Sequence, residues 1–133
     1  MDTDLAQINS ADEYPLKDLT ERVIGAAFEV HNQLGRGFLE KVYENAMLVE
    51  LRSRGIAAGA QVLIPVSYKG VVVGDYVADL IIERSLICEI KAISELATEH
   101  EAQIINYLKA TGTKVGLLLN FGKQRLQVRR FVF

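Results

Sequence analysis

The chain has 133 residues, half of them hydrophobic and 24% charged, with a net charge of −2. That is the profile of one ordinary soluble domain, and it argues against a protein that coats nucleic acid through bulk charge. The single cysteine, Cys88, excludes an internal disulfide and fits a reducing compartment.

The first stretch, "MDTDLAQINSADEY", is acidic and polar, without the basic and apolar regions of a signal peptide. No later apolar run is long enough to cross a bilayer. The expectation is a cytoplasmic protein: a flexible segment over residues 1–14, then a single domain over 15–133.

"DLTERVIGAAFEVHNQLG" spaces Leu19, Val23, Ala26 or Ala27, Val30 and Leu34 three or four apart, the stripe of an amphipathic helix. Asp18 with Glu21 resembles a capping box, and Gly35 is a natural stop. A second helix is predicted from about Phe38 to Arg54, with Leu39, Val42, Tyr43, Ala46 and Leu51 as its apolar set and Gly55 ending it. "QVLIPVSY" and "VVVGDYVADLII" then read as strands joined by the tight-turn dipeptide "KG". "SLICEIKA" is a third strand, and "SELATEHEAQIINYLKAT" a third helix stopped by Gly112. "KVGLLLNF" and "RLQVRRFVF" complete the series. The order α-α-β-β-β-α-β-β predicts an α/β fold with helices against a mixed sheet.

Two carboxylates and an amine interrupt the apolar strands: Asp79, Glu89 and Lys91. Unpaired charges are costly to bury, so they need partners or a purpose. If the loop between the strands is Glu83 to Ser85, Ile82 pairs with Leu86 and Asp79 falls opposite Glu89. Their Cβ atoms are then roughly 5 Å apart, with Lys91 two residues along the same face. One amine does not neutralise two carboxylates, whereas a divalent cation does. Carboxylate oxygens completed by water suit Mg²⁺ or Mn²⁺, which polarises a phosphate and acidifies water. A neighbouring lysine stabilises charge on the reacting phosphate. A two-residue loop would instead send Glu89 and Lys91 to the other face, as a surface ion pair.

Two helical groups border this pattern. Glu40 lies beside the apolar stripe of the second helix, either as a third carboxylate for a metal or as an exposed first-turn acid favoured by the helix dipole. His100, Gln103 and Tyr107 form a polar stripe on the third helix, set to orient a lysine, a water or a phosphate, or to edge the solvent. His31 reads as a capping or packing residue and Cys88 as a core residue. After Glu101 there is no acid but six bases, Lys109, Lys114, Lys123, Arg125, Arg129 and Arg130. They read either as a phosphate-facing edge or as a solvated strand with its turns.

Gly37-Phe-Leu-Glu40-Lys-Val-Tyr43 resembles the G-x-x-E-x-x-Y signature of the GxxExxY protein family. The likeness runs from about Leu19 to Phe133 through "PVSYKG", "ADLIIE", "CEIKA", "HEAQIINYLKATG" and "LLLNFG". That family is placed in the PD-(D/E)xK nuclease superfamily, so the resemblance implies a restriction-endonuclease-like αβββαβ core. By position, Asp79 and Glu89-x-Lys91 match the superfamily signature and Glu40 matches its helical acid. Gln103-x-x-x-Tyr107 is similar to the Gln/Tyr motif of the exonuclease-like branch. Ala78 stands where the superfamily's name has Pro, a position that shapes the strand and supplies no chemistry.

The resemblance implies a Mg²⁺- or Mn²⁺-dependent nuclease that hydrolyses DNA with little sequence specificity of its own. Glu40, Asp79 and Glu89 would serve the metal and Lys91 would be the catalytic amine. Gln103 and Tyr107 would complete the site, and Lys114, Lys123, Arg125, Arg129 and Arg130 would contact nucleic acid. A homodimer or a protein partner would supply the address. The competing expectation is a non-catalytic module on the same fold that binds nucleic acid or a nucleotide.

Overall fold

The structure, a computed structural model, describes residues 15–133. The expected flexible segment at 1–14 lies outside the described residues. Helix α1 spans Lys17–Leu34 and buries Val23, Ala26, Ala27 and Val30, the stripe read from the sequence. Its start differs from expectation. Leu16 holds the N-cap position with φ 59°, and Asp18 lies inside the first turn, 3.9 Å from Arg22. Asp18 therefore complements the helix dipole instead of capping the helix. Gly35, with φ 69°, ends α1 and donates its N–H to the His31 carbonyl at 2.8 Å.

Helix α2 covers Glu40–Ser53, starting two residues after Phe38, and buries Tyr43, Glu44, Met47 and Leu51. Five strands follow: β1 (Ala58–Tyr68), β2 (Val71–Ile82), β3 (Leu86–Lys91), β4 (Val115–Asn120) and β5 (Gln127–Val132). They lie side by side in chain order; β3 and β4 are parallel and every other pair is antiparallel. A parallel pair needs a crossover, here helix α3 (Thr98–Thr111). It begins four residues later than predicted, where His100 Nδ1 accepts the Ala97 N–H at 3.0 Å. The Lys69-Gly70 turn takes positive φ at both residues, as a two-residue hairpin of this hand requires.

The sheet separates two apolar clusters. Helices α1 and α2 pack Val23, Tyr43, Met47 and Leu51 against Leu80, Cys88, Leu117 and Phe121. On the opposite face Leu108 of α3 packs with Tyr76, Ala78 and Ile87. Strands β3 and β4, covered on both sides, read as continuous apolar runs for that reason. No described helix is long and apolar enough to cross a membrane.

Tyr43 is a structural residue of the Gly37–Tyr43 motif. It is fully buried, stacks on Phe121 at 4.7 Å, donates its hydroxyl to the Gly35 carbonyl and accepts the Phe38 N–H. It thereby fixes the turn between α1 and α2, where Gly37 takes φ 113°. His31 packs as expected, stacked on Phe121 and bonded through Nε2 to the Lys123 carbonyl.

Candidate active site

Ile82 pairs with Leu86 across the Glu83–Ser85 loop, and the β2–β3 ladder ends two rungs later at Leu80 and Cys88. Beyond that point side chains take over from backbone pairing. The Ile90 N–H donates to Asp79 Oδ2 at 2.8 Å, and the Asp79 N–H donates to Glu89 Oε2 at 3.2 Å. Each carboxylate is thus tied to the backbone of the pair where two strands part. Strict alternation does not continue through this point. Tyr76 and Ala78 face the α3 cluster, whereas Leu80 and Ile82 face the α1–α2 cluster. Asp79 sits at the change.

Glu89 is 8% exposed. Burial, and after it the charge of Asp79, pushes its carboxyl up to about 7, against the opposing pull of its hydrogen bonds and Lys91. Burial likewise raises Asp79, and the charge of Glu44 adds to it. Lys91, at the end of β3, is half-buried and favours the ionised form of both acids. The Tyr76 hydroxyl donates to Glu89 Oε2 at 2.5 Å, and Tyr107 of α3 stacks on the Tyr76 ring. Burial and the Glu89 charge raise the Tyr107 phenol.

The acid that α2 turns toward this centre is Glu44, one turn past the expected Glu40. Glu40 is exposed at the first residue of the helix. Glu44 is 4% exposed and pairs with Lys41 at 2.9 Å. Its Oε1 accepts from Gln61 Nε2 at 2.7 Å, and the same nitrogen reaches Asp79 Oδ1 at 3.4 Å. The signal was an acid on the buried stripe itself, three residues before Met47 and seven before Leu51. Tyr76 and Gln61 carried no comparable sequence signal. On α3 the expected polar stripe divides: His100 serves as a cap, Gln103 is exposed, and Tyr107 alone reaches the site through Tyr76.

The backbone after Lys91 is held by a second polar residue. Asn120, fully buried, accepts the N–H groups of Ile93 and Gly122 at 3.0 Å each and donates to Gln127. The Phe121 N–H bonds the Lys91 carbonyl at 2.8 Å. A Cβ on Gly122 would lie 2.3 Å from the Ile93 nitrogen. Only glycine lets these two segments cross so closely.

The predicted phosphate-contacting bases do not form one strip. Lys123 pairs with Glu95 at 2.7 Å and Arg129 with Glu101 at 3.6 Å. Arg130, next in the strand, donates to the Pro15 carbonyl at 2.7 Å. Lys114 precedes Val115, which pairs with Leu86 at the end of β3 remote from Lys91. Arg125 is exposed in the β4–β5 turn. Strand alternation and acidic neighbours account for the scatter.

Among the described residues no three His, Cys, Asp or Glu side chains converge closely enough to hold a metal ion. Asp79 and Glu89 remain as a pair. Two carboxylates with water completing the shell suit Mg²⁺ or Mn²⁺, and Glu89 Oε1 makes no hydrogen bond among the described residues. The residues present fit such an ion.

Residues 17–131 match the PD-(D/E)XK nuclease superfamily, and the chain belongs to it. Its α/β architecture, a mixed five-stranded sheet between helices, is consistent with the restriction-endonuclease-like fold. The crystal structure of SSO0001 is similar, with a TM-score of 0.52 at 20% identity, over 96% of this chain and 61% of that one. The present chain thus spans about 61% of that protein's length. No curated protein matches the chain in sequence.

Proposed function

We propose that this protein is a metal-dependent nuclease that hydrolyses phosphodiester bonds in DNA with little intrinsic sequence specificity, its single domain spanning residues 15–133. The Gly37–Tyr43 motif supports a place in the GxxExxY family within the superfamily. The observation that carries the reading is the pair Asp79 and Glu89, brought together where β2 and β3 part, with Lys91 beside them. Two acids crowded into a partly dry site favour a cation between them.

Asp79 and Glu89 would hold Mg²⁺ or Mn²⁺, which when bound polarises the phosphate and lowers the pKa of water. Lys91 places a positive charge where the reacting phosphate gains negative charge. Tyr76 fixes the Glu89 carboxylate by its hydroxyl, and Tyr107 braces Tyr76. Exposed Gln103 and Arg125 are available to the nucleic-acid backbone. A second copy or a separate protein would supply targeting.

One observation favours a non-catalytic nucleic-acid or nucleotide-binding module on the same fold: among the described residues two acids, not three, meet at the proposed metal position. Labelled single- and double-stranded DNA and RNA, incubated with the pure protein in Mg²⁺, Mn²⁺ or EDTA, separate the readings. Cleavage of DNA with either metal and none with EDTA is expected. Binding without cleavage under every condition would establish the module instead.

A further inference from the structure

Gln61 departs from the extended backbone of its neighbours in β1. Its φ is +52°, and among the described non-glycine residues with positive φ it alone stands inside a strand. Leu16 precedes a helix, and Lys69, Glu83 and Arg84 occupy turns. The β1–β2 ladder keeps its register on both sides, with Ala60 opposite Leu80 and Val62 opposite Ala78, but the rung between them is missing. That rung is Gln61 with Asp79, the residue at which β2 loses its alternation. Both strands are therefore distorted at one level, beside the proposed metal position.

The distortion has a chemical product. One amide nitrogen donates to two acids from different elements, Glu44 Oε1 at 2.7 Å and Asp79 Oδ1 at 3.4 Å. A carboxylate can only accept, so the NH₂ end of the amide must face both. Lys41 holds the other oxygen of Glu44. A left-handed residue at an exposed strand position favours glycine, yet this residue carries a side chain long enough to join two carboxylates. Strain kept at such a point marks a candidate functional constraint.

We infer that Gln61 is a positioning residue that ties Glu44 to Asp79 and so presents the α2 carboxylate to the hydrated ion. The inference rests on the nuclease reading. Glu44 then supplies the third acid, through water, that Glu40 does not.

The test measures Mn²⁺ affinity by calorimetry together with the Tm of the metal-free protein, for wild type, Asp79→Asn, Gln61→Gly and Gln61→Asn. Gln61→Gly should leave the metal-free Tm equal to or above wild type, because glycine accepts the left-handed backbone. Its Mn²⁺ affinity should fall about tenfold or more, the usual cost of losing a partner that orients a metal ligand. Gln61→Asn, tolerant of the same φ but one carbon short, should lose affinity likewise. Mn²⁺ affinity of Gln61→Gly within twofold of wild type would overturn the inference alone. A fall in both Tm and affinity would overturn it too, since the amide would then be a prop of the fold. Wild type that binds no Mn²⁺, or binds it as well after Asp79→Asn, would overturn it together with the nuclease reading.

Discussion

Glu89 shows most clearly how the fold sets the chemistry of a single group. Burial first, and Asp79 second, hold its carboxyl at about 7, where an ordinary glutamate sits near 4.5. The native state therefore keeps a proton that the unfolded chain releases as pH rises through that window. The sign follows from linkage: the native state binds more protons there, so stability falls as pH rises from about 4.5 to about 7. The ceiling on this effect is on the order of 3 kcal/mol. Glu89→Gln should flatten the dependence and make the metal-free protein more stable than wild type at pH 8, as Tm measured across pH would show. A wild-type Tm that does not depend on this residue over that range would contradict the assignment. Asp79, Glu89 and Lys91 were legible in the sequence because charge in a buried strand is conspicuous. Glu44 is masked in the sequence by Glu40, which stands one turn earlier in the G-x-x-E-x-x-Y pattern. Gln61 and Tyr76 act through hydrogen bonds that no spacing rule reports.

At the scale of elements, hydrophobic periodicity marked each described helix and strand, and the Lys69-Gly70 and Glu83–Ser85 connections followed from turn chemistry and register. The errors fell at helix starts. Asp18 and Ser94 suggested beginnings, but Leu16 and the Ala97–His100 bond set them. Tertiary crossings were invisible in the same way. Gly122 passes against the backbone of Ala92 and Ile93, directly after Lys91, and Asn120 bonds both segments. Gly122→Ala should push these segments apart and cost about 1–3 kcal/mol, the range for overpacking a tight site. Thermal unfolding should show a Tm lower by several degrees. Gly70→Ala, where no atom lies within 4 Å of the added Cβ, would incur only the strain of its φ of 82°. A Gly122→Ala protein as stable as wild type would mean that the crossing is looser than it stands.

For the whole molecule, the chain belongs to the PD-(D/E)XK nuclease superfamily, and the arrangement of charge bears on how the proposed substrate would be held. The C-terminal bases are divided among both faces and both ends of the sheet, with Lys123 and Arg129 already paired to acids. Affinity should accordingly be modest, and catalysis should depend on the site at the parting of β2 and β3. Lys91 is proposed to act on the reacting phosphate and not merely on binding. Its most direct test is Lys91→Ala compared with wild type on labelled DNA, cutting measured in Mg²⁺ and binding measured in EDTA. Wild type should cut, and the variant should cut about 10²-fold more slowly or worse, by analogy with losing one transition-state donor. Its affinity for DNA should stay within a few-fold of wild type, because the proposed backbone contacts at Gln103 and Arg125 are left untouched. A variant that cuts as fast as wild type would show that Lys91 is not the catalytic amine.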